Sequence, residues 1–321
     1  MKKKLKLKKK VWFFLILIIF VIIGITVGNK VYQKKQYQKT YEYKLLNHGY
    51  NEKETKIILN TFKDKNEREF FLKNKPNKLY LNILKEKYYK PSNFFQYIEY
   101  LEKNSNKELK EIIRIINTHR DKDFYELKID TDISKDTLML VNKYYSLNKE
   151  YIPEDLVYIS QKYAWGEKNS KQIRKVCYDA FIEMWKKAKE DGYQLMINSA
   201  YRKPQEQEEI YNYYKENRGE KYADKIAARP GSSEHETGLA LDIFSIKNSN
   251  KSTFEETDEA KWLEDNAYKY GFILRYPKDK KDITGYEYES WHYRYIGIDA
   301  ATKCHNDDIT FDEYYAYYVE K

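Results

Sequence analysis

Eighteen consecutive uncharged residues, Val11 to Gly28 (VWFFLILIIFVIIGITVG), set the first limit on how this chain of 321 residues can fold. At ~1.5 Å per residue a helix of that length spans about 27 Å, close to the thickness of a bilayer's hydrocarbon core. The run has no polar face, which disfavours a buried core helix. It is also longer than the apolar part of a cleaved leader, and neither a small-x-small site nor a lipidation cysteine follows it. Residues 11–28 are therefore expected to form a single transmembrane helix. Lys2, Lys3, Lys4, Lys6, Lys8, Lys9 and Lys10 precede it, whereas Lys30, Lys34 and Lys35 lie just beyond. That asymmetry predicts a cytoplasmic basic tail over residues 1–10 and an exterior location for everything after about Asn29.

The lysine cluster also decides how the net charge is read. Of the formal +9, seven charges belong to that tail, leaving 9 − 7 = +2 on the rest, so a polyanion-binding surface is not indicated and no nucleic-acid partner is expected. With 41% apolar residues and 34 tyrosines the chain can build a packed core. Two cysteines are too few for a disulfide scaffold.

Beyond the apolar run two regions differ in pattern. Residues 29–128 are expected to form a small, membrane-proximal helical module, read between 41 and 125 as short helices separated by Lys/Asn-rich turns. Asn51 with Glu54, and Ser105 with Glu108, have the spacing of capping boxes, and Leu109, Ile112, Ile113 and Ile116 follow helical periodicity. Nothing there suggests chemistry, and its expected role is a spacer or support. Residues 129–321 are expected to be α+β, a small antiparallel sheet with flanking helices. Ile173, Val176, Cys177, Ala180, Phe181, Met184 and Ala188 make one apolar stripe, read as a helix starting near Asn169 or Ser170 and stopping at Gly192. Tyr193–Ser199, Gly238–Phe244, Phe272–Tyr276 and Trp291–Ile296 read as strands. Pro204 opens one further helix, and Gly271 ends another that carries Trp262, Leu263, Asn266, Ala267 and Tyr270.

Of five histidines, His235 and His292 stand out. His235 precedes a strand that carries Asp242 inward, and His292 follows Glu289 by three residues. A hydrolytic zinc site commonly takes three N or O ligands and leaves a fourth position for water, a need that His235, Asp242 and His292 meet. His235-Glu236 begins like the helical HExxH motif, but Leu239 stands where its second histidine belongs, so the ligands must come from separate strands and loops. Glu289 is placed to accept a proton from the zinc-bound water, and Arg202 offers a permanently charged donor for a developing oxyanion. Each residue alone has a structural reading, as a satisfied polar pair or a solvated charge. Asp242 within an apolar strand resists that reading, because an unpaired buried carboxylate is costly.

The joint pattern resembles the VanY-type D-alanyl-D-alanine carboxypeptidases, within the wider zinc-peptidase group that includes lysostaphin-like enzymes and hedgehog-like domains. The resemblance covers roughly Asp130 to Gly297. It rests on Val141-Asn142-Lys143 with Tyr151-Ile152-Pro153-Glu154-Asp155-Leu156; on Ser199-Ala200-Tyr201-Arg202 with Gln207; on Ser233-Glu234-His235 through Asp242; and on Glu289-Ser290-Trp291-His292-Tyr293-Arg294-Tyr295. It implies Zn2+ on His235, Asp242 and His292, with Glu289 as base and Arg202 stabilising the transition state. It also implies that Ser233 and Gln207, with Tyr201 beside them, hold the substrate's terminal D-alanine. The implied function is a zinc metallocarboxypeptidase of the bacterial plasma membrane, its catalytic domain outside, removing D-alanine from peptidoglycan stem peptides. An L,D-carboxypeptidase acting on tetrapeptide stems, a catalytically silent wall-binding module and a structural membrane adaptor are the alternatives.

Two departures stand out. Glu236 occupies a position where the family often has Gln, and Ser290 replaces a frequent Pro, removing a fixed φ next to Glu289. Cys304 and His305 lie beyond the motif and are read as incidental. Cys177 is expected as a buried thiol in preference to a disulfide with Cys304.

Overall fold

The computed structural model describes residues 2–165 and 171–320, with side chains from residue 8 onward. The chain divides into two compact units, Met1–Phe94 and Phe95–Lys321.

The first unit opens with α1 (Lys2–Gln38), which contains the uncharged run. Among the described residues it is the one helix long and apolar enough to cross a membrane, and Trp12, Phe13 and Phe20 on it are all about two-thirds exposed. Four short helices follow, α2 (Tyr41–His48), α3 (Glu52–Thr61), α4 (Lys65–Lys73) and α5 (Lys78–Ile83). Helices this short are marginal alone, so their ends and one shared apolar face hold them. The Asn51 capping box forms as its spacing predicts: Asn51 Oδ1 accepts from the Glu54 N–H at 2.9 Å, and the Asn51 N–H donates to Glu54 Oε2 at 3.0 Å. Leu45, Ile58, Phe62 and Phe71 are buried where the helices meet, with the Phe62 and Phe71 rings 5.0 Å apart. Asn51→Ala is expected to cost about 1 kcal/mol of local stability, read as roughly fivefold faster hydrogen exchange of the α3 amides.

The second unit takes all but the first residue of α6 (Phe94–Lys103), and α7 (Leu109–Asn117) follows. Ile112, Ile113 and Ile116 are buried on α7 as their periodicity predicts. The expected Ser105–Glu108 box does not form. Helix α7 starts at Leu109, so Glu108 occupies the cap position itself and makes no side-chain cap bond. A parallel pair, β1 (Ile129–Asp130) with β2 (Tyr145–Ser146), and an antiparallel pair, β3 (Leu156–Tyr158) with β4 (Gln172–Arg174), precede the long helix α8 (Lys175–Glu190). The expected start of that helix, Asn169 or Ser170, lies outside the described residues. Ile173 belongs to β4, where it pairs with Val157. Its β-branched side chain serves the strand and reaches the same core as the helix stripe, so periodicity alone assigned it to the helix.

Then come β5 (Leu195–Ser199), α9 (Pro204–Arg218, Pro204 in its first turn), α10 (Glu220–Ile226), β6 (Ala240–Ser245), α11 (Asp258–Asn266), β7 (Phe272–Leu274), α12 (Lys281–Thr284), β8 (His292–Tyr295), α13 (Ile298–Asp307) and α14 (Phe311–Tyr314). β5, β6, β8 and β7 form one antiparallel sheet in that spatial order. This mixture of helices with small sheets agrees with the α+β expectation. Cys177, Phe181 and Met184 of α8 pack in one core with Ile197 of β5, Leu241 and Ile243 of β6, and Leu263 of α11. Both cysteines are buried free thiols, and His305 stacks on Tyr268 with ring centroids 3.8 Å apart.

Candidate metal centre and its cavity

The sheet's register builds the site. β6 and β8 are its two central strands, and Asp242 stands directly opposite His292 across them. His235 lies in the single helical turn Glu234–Thr237 that leads into β6, and Gly238 closes that turn at φ +66°. A side chain at Gly238 would bring Cβ to 2.9 Å from Arg174 Cγ, so both its conformation and its close packing call for glycine. The His235 ring is fixed by Nδ1, 2.7 Å from the Ala200 carbonyl oxygen, which turns Nε2 toward Asp242.

Asp242 Oδ1 is thereby 3.5 Å from His235 Nε2 and 3.3 Å from His292 Nδ1. The two rings stand nearly perpendicular with centroids 5.0 Å apart. All three residues are buried, yet Asp242 Oδ1 has no hydrogen-bond partner among the described residues. A buried, unsatisfied carboxylate oxygen beside two imidazole nitrogens calls for a cation. N and O donors held tetrahedrally at 2.0–2.2 Å from zinc stand about 3.3–3.6 Å apart, so the spacing and chemistry of these donors fit that ion. They form the one group of at least three His, Cys, Asp or Glu side chains among the described residues that can hold a metal. Burial works against the Asp242 charge, but the two imidazoles outweigh it and hold the carboxyl well below its ordinary range. Burial and the nearby Arg202 charge push His235 down, whereas the carboxylates of Asp242 and Glu234 outweigh burial at His292 and push it up.

A cavity of about 320 Å³ opens beside the triad, lined by Arg202, Gln207, Ser233, Glu289, Lys251 and Trp291 among others. Glu289, whose side chain is a quarter exposed, places Oε2 3.8 Å from His292 Nδ1. Burial, reinforced by the Asp242 charge, raises its pKa against the pull of His292, the direction that suits a carboxylate cycling its proton near neutral pH. The Arg202 backbone N–H donates to the His235 carbonyl at 3.1 Å, tying the β5–α9 loop to the metal-centre turn. Its Nη1 donates to Gln207 Oε1 at 2.6 Å and its Nη2 to Ser199 Oγ at 3.4 Å. Burial lowers the guanidinium's pKa from a value so high that it keeps its charge.

Of the residues singled out in the sequence, His235, Asp242, His292, Glu289, Arg202, Gln207 and Ser233 meet around this one cavity. Tyr201 is not among its lining residues, and its hydroxyl is buried without a partner among the described residues. Gln207 is committed on both sides, accepting from Arg202 and donating through Nε2 to the Ala228 carbonyl at 2.7 Å. These bonds hold Arg202 in place, and the second Nε2 hydrogen of this cavity-lining residue stays uncommitted among the described residues. Sequence reasoning gave no role to Glu234, Arg275, Arg294 or Asp312, which form a fully buried ion network under His292. A signal was present, since an arginine within or next to an apolar strand requires a buried carboxylate partner.

The family described as VanY, D-alanyl-D-alanine carboxypeptidase, matches residues 170–298. The Bacillus subtilis (strain 168) protein named "Putative carboxypeptidase YodJ" is 46% identical over 56% of this chain and 66% of its own length. The bifunctional D-Ala-D-Ala dipeptidase and D-Ala-D-Ala carboxypeptidase VanXYC of Enterococcus gallinarum is 30% identical over 57% of this chain and 96% of its own. Among solved structures, the LdcB LD-carboxypeptidase is 42% identical with a TM-score of 0.57, covering 61% of this chain and 94% of its own. This chain spans slightly less than two thirds of several curated relatives, for example 61% of the D-alanyl-D-alanine carboxypeptidase of Enterococcus faecium. The relatives that share this sequence and fold are described as peptidases of the carboxypeptidase class. The chain belongs to the VanY D-alanyl-D-alanine carboxypeptidase family.

Proposed function

We propose that this chain is a zinc-dependent carboxypeptidase that removes the terminal D-alanine from peptidoglycan stem peptides. The observation carrying the proposal is the convergence of Asp242 Oδ1, His235 Nε2 and His292 Nδ1, all buried, at the edge of a cavity that also holds Glu289 and Arg202. Those three side chains would hold the ion, which when bound supplies a water acidified to a pKa of about 7 and a Lewis acid for the scissile carbonyl. Glu289 takes the proton from the attacking water and returns it to the leaving amine of D-alanine. Arg202, clamped by Gln207 and Ser199, presents its remaining N–H groups to the charge that develops on the carbonyl oxygen. Ser233, buried at the turn before His235 and lining the cavity, is assigned to the substrate's terminal residue. Gln207 lines the same cavity and keeps an amide hydrogen for that residue, whereas Tyr201 lies off the cavity and receives no role in binding it.

α1 is read as the anchor of an enzyme whose residues 1–10 lie in the cytoplasm and whose site faces the wall, with residues 29–128 as the membrane-proximal module and 129–321 as the zinc domain. The lysine asymmetry and the exposed apolar surface of α1 support this topology.

Metal analysis of the full chain is expected to give about one zinc per chain. D-alanine release from a synthetic pentapeptide should stop with chelator and return with zinc. Release that ignores the chelator overturns the proposal. A second reading, an L,D-carboxypeptidase acting on tetrapeptides, is favoured by the likeness to LdcB. Parallel assays on tetra- and pentapeptide stems separate the two by the product formed.

A further inference from the structure

The carboxylate of Glu234 is wholly buried and its two oxygens face different neighbours. Oε1 accepts from Arg275 Nε at 2.7 Å and from Arg294 Nη1 at 3.1 Å. Both guanidiniums are fixed in turn. Arg275 donates to Asp312 Oδ2 at 2.6 Å, Asn142 Nδ2 donates to Asp312 Oδ1 at 2.7 Å, and Arg294 Nη2 donates to the Met139 carbonyl at 2.8 Å. Oε2 has no hydrogen-bond partner among the described residues and lies 3.5 Å from His292 Nε2, which has none either. On its other nitrogen His292 faces Asp242, and its ring packs on Tyr276 with centroids 4.9 Å apart.

From this arrangement we infer that Glu234 is a positioning residue: it holds the proton of His292 on Nε2 and so commits Nδ1 to the metal. The inference rests on the zinc reading above. A histidine ligand gains orientation and donor strength when its second nitrogen donates to a carboxylate, and losing that partner typically costs 10–100-fold in metal affinity. Here the two guanidiniums on Oε1 fix which oxygen remains for the histidine. The network also gives a purpose to Asn142 and Arg294, two residues of the segments that carry the family resemblance but have no place in the reaction itself.

Glu234→Gln makes the test sharp. The two arginines require an oxygen at the Oε1 position, so the amide NH2 must take the Oε2 position and face His292 Nε2, donor against donor. In the full chain in detergent, labelled with 15N-histidine and loaded with zinc, His292 is expected to show a slowly exchanging, downfield Nε2–H. Glu234→Gln should lose that resonance and bind zinc 10–100-fold more weakly in competition with a chromophoric chelator. Asp312→Asn disturbs the same network at a distance from Oε2 and is expected to lower the melting temperature while leaving zinc affinity within about twofold. Zinc uptake by Glu234→Gln equal to wild type, or a wild-type His292 with no hydrogen-bonded Nε2–H, overturns the role of Glu234. The wild-type resonance decides the matter even where Glu234→Gln does not fold. A wild-type chain that takes up no zinc overturns the metal reading itself, a separate result.

Discussion

Glu289→Ala is expected to retain zinc and fold normally while D-alanine release falls by about 10²–10⁴-fold, the range associated with a positioned general base. The separation between binding and turnover follows from geometry. Glu289 lies beside the triad, with Oε2 3.8 Å from His292 Nδ1, while the three converging donors are His235, Asp242 and His292. Removing it leaves those donors and the Arg202 clamp as they were. Parallel metal analysis and single-turnover kinetics check both halves, and wild-type-like release would sink the assignment of the base.

Arg275→Ala is expected to cost about 3–5 kcal/mol of stability, because it leaves Asp312 with no charged partner among the described residues and Glu234 with Arg294 as its one guanidinium, in a region sealed from water. Glu234, Arg275 and Arg294 have fully buried side chains, and that of Asp312 is 3% exposed. For a unit of this size the loss corresponds to a fall of roughly 10 °C in melting temperature, readable by thermal unfolding of the full chain. A shift of only a degree or two would mean that solvent or a rearranged neighbour satisfies both carboxylates.

These two substitutions mark how far the sequence could be read. The reacting residues announce themselves, since two histidines, an aspartate inside an apolar strand and a glutamate three residues before the second histidine form a chemical combination with few alternative uses. The strands around them were legible to within two residues at each end, and so was the proline that opens α9. The network beneath was not legible, because Arg275 and Asp312 are distant in sequence and become partners only after β7 and α14 are packed. The same limit misplaced Ile173, whose apolar side chain fits a helix stripe and a strand equally well until Val157 is known to pair with it. The Ser105–Glu108 spacing misled for a local reason, as the backbone starts its helix one residue after the glutamate.

Asp242 and His292 occupy one rung of the β6–β8 ladder, and under the proposed zinc reading this would make the ion a gauge of correct strand pairing. Side chains alternate across a strand, so a slip of one residue between β6 and β8 would send one donor through to the far face and break the chelate. Only the properly aligned sheet can capture the ion tightly. Metal uptake would then reinforce correctly paired chains and leave slipped ones without that stabilisation.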